Sequence, residues 1–386
     1  QVFDYIICGG GASGLLLLDA LSSDSYFKTP SILLIEQEVK NSNDRTWCFW
    51  EASPGHFDPL LRKTWASASF KSKEFKLDFN LEPYRYKMLR SKSFYQEIQH
   101  KIKSNTQVTY LKAKVTEVKE KGASTAVHTT HGVFESEKVF NSIFNPKALH
   151  NQKKYPVLKQ HFIGWFIKTK TAQFDPGKVF FMDFDIPQKE QTRFIYVLPL
   201  SENHALVEYT LFSEALLARE EYEAGIIDYL KAQGIHDFEI EEKEEGNIPM
   251  SCFPFEQFNT PSLLHIGTAG GWTKASTGFT FKNTQRNINE LVGFLKTGKK
   301  LNQFQTKNRF RFYDLLFLDV LLKYNAQGSK LFERMFAKNH PLTIFRFLDE
   351  KTTLLEELKI LSSFSLKQIK YLQIYIKAYV WNKCYC

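Results

Sequence analysis

Glu208 is the one carboxylate in an apolar, strand-like run, residues 203–213 (NHALVEYTLFS). Because side chains alternate along a strand, His204, Leu206 and Thr210 share the face of Glu208. The other face carries Ala205, Val207, Tyr209 and Leu211. On a wet face Glu208 would be an ordinary exposed acid. In a dry pocket its pKa would rise, so that the carboxyl could hold and donate a proton at neutral pH. The strand pattern leaves both interpretations open.

Three glycines near the amino terminus, Gly9, Gly11 and Gly14, have the spacing G-x-G-x-x-G. They separate a short apolar run, residues 3–8, from a leucine-rich segment, which predicts a strand, a tight turn and a helix. Such glycines let the backbone approach a pyrophosphate at the positive end of the helix. The next strand, residues 31–38, contains Glu36, an acid placed to bind a ribose. The pattern predicts a dinucleotide site, and a glycine turn that only packs a helix is the alternative.

A second glycine-rich segment, residues 263–281 (LLHIGTAGGWTKASTGFTF), again predicts a strand, a loop and a helix. Flavoproteins commonly bring such a late segment to the flavin end of FAD, with the helix start near the isoalloxazine ring. We therefore expect FAD rather than NAD, with further contacts from Gly267, Gly270, Thr277 and Gly278. A second turn of purely structural origin is the alternative.

The composition is that of an ordinary globular protein, with 43% hydrophobic and 24% charged residues. The net charge of +9 is spread along the chain, which favours an anionic partner such as a membrane surface and argues against a nucleic-acid module. The five cysteines have no metal-binding spacing, so we expect no metal site and a reducing compartment. No run of 18 apolar residues occurs, and we expect a soluble or peripheral cytoplasmic protein.

The order of these elements predicts an α/β fold in which an FAD-binding Rossmann-like domain is interleaved with a strand-rich substrate domain. The FAD-binding domain is expected to contain residues 1–75, 92–150 and 246–299. The substrate domain is expected to contain residues 76–91 and 151–245, with a helix pair over residues 211–234. Residues 300–386 are expected to form a helical carboxyl-terminal region.

Several stretches between the glycine-rich segments are not explained by their spacing. They are NDRTWCFWE (residues 43–51), QHFIGWFI (160–167), FFMDFD (180–185), FIYVLPLS (194–201) and LVEYT (206–210). In this order, and followed by GTAGGWTKASTGFTF, they resemble the bacterial lycopene cyclases over nearly the whole chain. DRTWCFW and LVEYT are fairly specific to that family, whereas the glycine motif is shared with many flavoproteins.

The resemblance implies an isomerase that holds reduced FAD, with NAD(P)H as reductant, and cyclises lycopene or a related acyclic carotenoid without net redox change. An acid protonates the terminal C1=C2 bond, the C5=C6 bond attacks the cation, and C6 loses a proton, which leaves a β-ionone ring. LVEYT matches the motif of the catalytic acid, which assigns that role to Glu208. Arg45, in DRTWCFW, either contacts the flavin or forms a surface ion pair with Asp44.

Two other functions remain open. One is an FAD-dependent monooxygenase or reductase that acts on an isoprenoid or polyene. The other is a non-catalytic prenyl-lipid-binding protein on a flavoprotein fold, against which the intact glycine motif and Glu36 argue.

The last predicted helix, residues 366–381, is amphipathic and basic. One face carries Ile369, Leu372, Ile376 and Val380, and around it lie Lys367, Lys370, Lys377 and Lys383. Such a helix either docks on the core or lies on an anionic membrane. Because lycopene is stored in membranes, the resemblance favours peripheral membrane attachment.

Overall fold

The computed structural model describes residues 1–52, 54–306 and 309–364. Its strands are β1 (Tyr5–Cys8), β2 (Ile32–Glu36), β3 (Thr46–Ala52), β4 (Leu61–Trp65), β5 (Ser67–Lys71), β6 (Lys76–Asn80), β7 (Tyr84–Arg90), β8 (Val108–Lys112), β9 (Val115–Lys121), β10 (Ser124–Thr129), β11 (Gly132–Ser136), β12 (Val139–Asn141), β13 (Leu158–Thr169), β14 (Lys178–Asp183), β15 (Thr192–Ser201), β16 (His204–Ser213), β17 (Phe238–Met250) and β18 (Leu263–His265). Its helices are α1 (Ala12–Ser23), α2 (Ser91–Lys103), α3 (Lys147–His150), α4 (Arg219–Ala232), α5 (Phe281–Leu295), α6 (Phe310–Tyr324), α7 (Gly328–Lys338), α8 (Pro341–Leu348) and α9 (Leu354–Ser362). The predicted α/β class is confirmed.

The first layer is a parallel sheet of five strands in the order β18-β12-β1-β2-β8. Its central strands read YIIC and ILLIE because both faces are buried, as parallel sheets require. Leucines of α1 and the apolar side of α5 pack on one face. The three-stranded sheet β11-β10-β9 covers the other face. This arrangement fixes the loop after β1 at the carboxyl edge of the sheet, where ligands of such folds bind.

The second layer is a seven-stranded sheet in the order β17-β13-β16-β15-β14-β5-β6. Helix α4 packs on one face, against the side of β16 that carries Val207 and Tyr209. The opposite face packs an aromatic cluster against α6, α7 and α8. Strand β16 is therefore buried on both faces over almost its whole length. A second three-stranded sheet, β3-β7-β4, lies beside the two larger sheets.

The chain passes between the two larger sheets at several points along its length. Strand β5 pairs with β14 in the seven-stranded sheet, although residues 67–71 precede the boundary placed at residue 75. Strand β17 runs across the boundary placed between residues 245 and 246. The helix pair expected over residues 211–234 is wrong, because residues 211–213 complete β16 and one helix, α4, follows. The division into interleaved domains stays a prediction.

The carboxyl-terminal region is helical up to residue 362, in agreement with the prediction. Leu318, Leu321, Phe336 and Phe345 of these helices are buried against the aromatic face of the large sheet. The amphipathic segment with Ile369 falls outside the described residues. Within the described ranges, no helix is long and apolar enough to cross a bilayer.

Candidate functional site

One cavity of about 480 Å³ joins the two glycine-rich segments to Glu208. It lies between the carboxyl edge of the parallel sheet and one face of the seven-stranded sheet. Its walls include Gly11, Ala12 and Ser13 of the first loop, Thr46–Trp50 of β3, Glu208 of β16, Glu244–Pro249 of β17 and Thr277–Phe281 of the second loop. Residues separated by more than 250 positions therefore share one site.

Each of the three glycines in the first loop is required for a different structural reason. Gly9 has φ = +96°, a conformation that side chains rarely adopt. A Cβ on Gly14 would lie 2.0 Å from the Gly9 carbonyl oxygen, so Gly14 permits the close packing of α1 on β1. A Cβ on Gly11 would meet no atom within 4 Å, and Gly11 lines the cavity. The space in front of Gly11 fits a phosphate group that approaches the start of α1.

Glu36 lies at the end of β2, directly behind the first loop. Its Oε2 accepts a hydrogen bond from the Gly10 amide at 2.6 Å, and its Oε1 accepts one from the Glu38 amide at 2.9 Å. The carboxylate is buried and does not line the cavity. Glu36 therefore holds the loop in place, and each of its oxygens keeps a second lone pair for a ribose hydroxyl.

The second glycine-rich segment divides into packing residues and lining residues. Gly267 has φ = +61°, and a Cβ there would lie 1.9 Å from the Ser13 hydroxyl oxygen. A Cβ on Gly270 would lie 2.2 Å from the His265 carbonyl oxygen. Gly270 therefore permits the tight turn of the loop, and Gly267 permits its close packing against α1. Thr277 and Gly278, in contrast, line the cavity itself.

Arg45 also lines the cavity, but Asp44 is not its ion-pair partner. The Asp44 carboxylate accepts hydrogen bonds from Ser91, from the Tyr95 hydroxyl at 2.8 Å and from Lys40 at 3.1 Å. Among the described residues, the guanidinium of Arg45 donates to the backbone carbonyl of Asp44 and not to its carboxylate. Of the two open interpretations of Arg45, the surface ion pair with Asp44 is therefore wrong.

Glu208 is 9% exposed, so the face of β16 that carries it is dry. Its neighbours in the register are Gly164 on β13 and Tyr196 on β15. The Thr210 hydroxyl donates a hydrogen bond to Glu208 Oε1 at 2.6 Å. Burial, reinforced by the negative charge of Glu244, raises the pKa of Glu208 to about 8, whereas the Thr210 hydrogen bond lowers it. The carboxyl is thus protonated at neutral pH.

The walls around Glu208 are aromatic. Trp50, Tyr86, Tyr196 and Phe279 line the cavity with it. Burial raises the pKa of both tyrosine hydroxyls, which keeps them neutral. Among the described residues, the buried Trp50 Nε1 and Gln160 Oε1 have no hydrogen-bond partner, and both residues line the cavity. An apolar site with a few unpaired polar groups fits a large planar ligand.

Glu244 also lines the cavity and was not predicted from the sequence. It lies in the acidic run of residues 239–245 (EIEEKEE), which is typical of a solvated strand face. Alternation along β17 nevertheless points Glu244 into the cavity, and its carboxylate accepts a hydrogen bond from the Thr46 hydroxyl. Within the described part of the chain, no cluster of His, Cys, Asp and Glu side chains could hold a metal ion.

The fold is that of flavoproteins. The structure resembles a geranylgeranyl bacteriochlorophyll reductase-like protein from Thermoplasma acidophilum, with a TM-score of 0.64, 13% identity and coverage of 97% of this chain and 99% of that one. It also resembles a flavoprotein/dehydrogenase from Cytophaga hutchinsonii, with a TM-score of 0.62, 13% identity and coverage of 94% and 100%. The flavin-dependent brominase Bmp2 gives a TM-score of 0.59 at 12% identity, with coverage of 99% and 100%.

Within this class, the sequence profile described as "Lycopene cyclase protein" matches residues 4–371. The chain belongs to the lycopene cyclase family. The comparison with curated proteins gives no match.

Proposed function

We propose that the protein is a flavin-dependent lycopene β-cyclase, which converts the ψ ends of lycopene, or of a related acyclic carotenoid, into β-ionone rings. The observation that carries this proposal is the position of Glu208. A carboxyl whose pKa is raised to about 8 lies in the same cavity as both glycine-rich segments. The family of the chain supports the same substrate class.

FAD fits the residues at the opposite end of the cavity. Gly11 would lie against the pyrophosphate, and Thr277 and Gly278 near the flavin ring. Glu36, which lies behind the first loop and outside the cavity lining, would accept a hydrogen bond from the adenosine ribose. Arg45 on the cavity wall would add a positive charge. Reduced FAD, formed at the expense of NAD(P)H, would supply negative charge beside a developing carbocation, with no net transfer of electrons to the substrate.

The proton is held on Glu208. Because Oε1 accepts the Thr210 hydrogen bond, Oε2 is the oxygen that carries the proton. Transfer of this proton to the terminal C1=C2 bond of the polyene produces a tertiary cation, which the C5=C6 bond attacks. The aromatic walls keep water away, so the cation closes the ring instead of forming an alcohol. Loss of a proton from C6 makes the product an isomer of the substrate.

Access to the substrate requires contact with a membrane. The net charge of +9 supports peripheral attachment of a cytoplasmic protein to an anionic surface. We therefore propose anionic membranes as a partner, with no nucleic acid and no metal ion involved.

Expression in a bacterium that accumulates lycopene tests the proposal. We expect cyclic carotenoids on chromatography with the wild type, and lycopene only with a flavin-loaded Glu208→Gln variant. Persistence of lycopene with flavin-loaded wild type would refute the cyclase. A hydroxylated or hydrogenated product, with stoichiometric NAD(P)H consumption, would instead indicate the monooxygenase or reductase. Purified protein without a flavin spectrum would leave only the non-catalytic lipid-binding function.

A further inference from the structure

Glu208 and Glu244 face the cavity from two strands that flank β13. Gly164 of β13 is the register neighbour of Glu208 on one side and of Glu244 on the other. The two acids therefore lie on the same face of the sheet. Their Cα atoms are roughly 10 Å apart, which is two strand spacings. Both side chains line the same cavity.

Gly164 leaves the space between the two acids open. A Cβ at this position would lie 3.4 Å from Glu208 Cβ, 3.3 Å from Glu244 Cγ and 2.9 Å from Leu206 Cδ1. The two acidic side chains thus approach the same point above the glycine. Any larger residue would stand between them.

The surroundings of the two carboxyls differ. Glu244 accepts a hydrogen bond from the Thr46 hydroxyl and lies near the guanidinium groups of Arg90 and Arg45. Burial and the negative charge of Glu242 raise the pKa of Glu244, and these three groups oppose that rise. Glu208 has one opposing contact, from Thr210, and the charge of Glu244 raises its pKa further. The surroundings of Glu244 therefore favour a charged carboxylate more than those of Glu208 do.

Other ionisable groups surround the pair. The charged and titratable groups that face the pair are Cys48 on β3, Tyr86 and Arg90 on β7, Tyr196 on β15, Glu242 on β17 and Arg45 before β3. Burial raises the pKa values of the thiol and of both phenols, so these groups stay neutral. Glu242 forms an ion pair with Arg90.

We propose that Glu244 is the catalytic base that completes the proton cycle of Glu208, an inference that rests on the proposed cyclase function. Glu208 Oε2 gives its proton to C2 of the substrate. The Glu244 carboxylate takes the proton that leaves C6, while the C6–H electron pair forms the ring double bond. Transfer of that proton over Gly164 to the Glu208 carboxylate restores both groups. One proton enters and one leaves the substrate, and no electrons are exchanged with a further reactant.

Glu244→Gln tests this assignment in the flavin-loaded protein. We expect a loss of cyclisation rate of about 100-fold, which is typical of a missing general base. Because the negative neighbour is removed, the alkaline limb of the pH–rate profile of Glu208 should move to lower pH by roughly one unit. Glu244→Asp should recover part of the rate. Glu241→Gln is the matched control on the same strand, since Glu241 pairs with His204 and Lys168 away from the cavity.

A wild-type rate for Glu244→Gln would overturn the proposal, as would a slower variant whose alkaline limb does not move. A readout without substrate separates this proposal from the cyclase function itself. The carboxyl stretch of protonated Glu208, taken as the infrared difference between wild type and Glu208→Gln, can be titrated in the resting protein. Glu244→Gln should lower that pKa even if lycopene is not the substrate. An unchanged pKa would show that Glu244 carries no charge beside Glu208.

Discussion

Gly267 of the second glycine-rich segment lies directly against Ser13 at the start of α1. A Cβ added to Gly267 would lie 1.9 Å from Ser13 Oγ and 2.6 Å from Ser13 Cβ. Gly267 also has φ = +61°, so an alanine there is strained as well as crowded. This contact places the loop that leads to Thr277 and Gly278 next to the loop of Gly11.

Gly267→Ala should therefore damage FAD retention and stability together. We expect a loss of about 1–3 kcal/mol in the free energy of unfolding and a lower flavin content after purification. Absorbance of the bound flavin and denaturant unfolding measure the two effects. Gly293→Ala is the control, because a Cβ on this helical glycine meets no atom within 4 Å. Equal flavin content and stability in both variants would contradict the packing role of Gly267.

Gly164→Ala should separate chemistry from cofactor binding. The new methyl group would press on Glu208, Glu244 and Leu206 at 2.9–3.4 Å without a positive φ to strain the backbone. We expect flavin content to stay near the wild-type level and the cyclisation rate to fall by about tenfold or more, because misplaced acids transfer protons slowly. Rate assays on equal amounts of flavin-loaded protein test this. A wild-type rate would show that the gap above Gly164 is not needed.

The raised pKa of Glu208 has a consequence for stability. Its pKa is about 8 in the folded protein against an ordinary value of 4.5, so the folded state holds a proton that the unfolded state releases. The stabilisation from this proton is fully present below pH 4.5 and is lost as the pH rises through 8. Between about pH 5 and pH 7 the loss is on the order of 3 kcal/mol.

The Glu208→Gln side chain cannot ionise, so the free energy of unfolding of this variant should not fall for this reason as the pH rises. As the pH rises from about 5 to 7, we expect the free energy of unfolding of Glu208→Gln to increase relative to that of the wild type. The free energy of unfolding of Glu241→Gln should change with pH as that of the wild type does. Urea unfolding at several pH values provides the measurement. Parallel curves for wild type and Glu208→Gln would mean that the carboxyl titrates normally.

Thr210→Val should shift the pH profile in the direction opposite to Glu244→Gln. The Thr210 hydroxyl donates to Glu208 Oε1 and lowers the pKa of that carboxyl. Without the donor the pKa of Glu208 rises, so the alkaline limb of the rate should move to higher pH. Thr210→Ser keeps the donor and should leave the limb in place. A shift to lower pH in the valine variant would contradict the assigned direction of this hydrogen bond.

Local patterns predicted the glycine loop, Glu36 behind it and the alternation around Glu208, because each depends on residues that are neighbours in sequence. The dryness of the Glu208 face was not predictable, since it comes from β13, from Trp50 on β3 and from the carboxyl-terminal helices. The position of Glu244 in the cavity was not predictable, because an acidic run has the same sequence pattern whether its strand faces water or a cavity. The pairing of Asp44 with Lys40 and Tyr95 likewise depends on how α2 packs.

Cyclisation in D₂O tests the central claim, that Glu208 donates a proton beside a flavin without net redox change. Flavin-loaded protein is equilibrated in D₂O, reduced, and given lycopene for a single turnover. The account predicts a cyclic isomer that carries one deuterium at C2 of the ring formed in that turnover, with no stoichiometric consumption of NAD(P)H and no product from Glu208→Gln. A cyclic product without deuterium, or unchanged activity in Glu208→Gln, would contradict it.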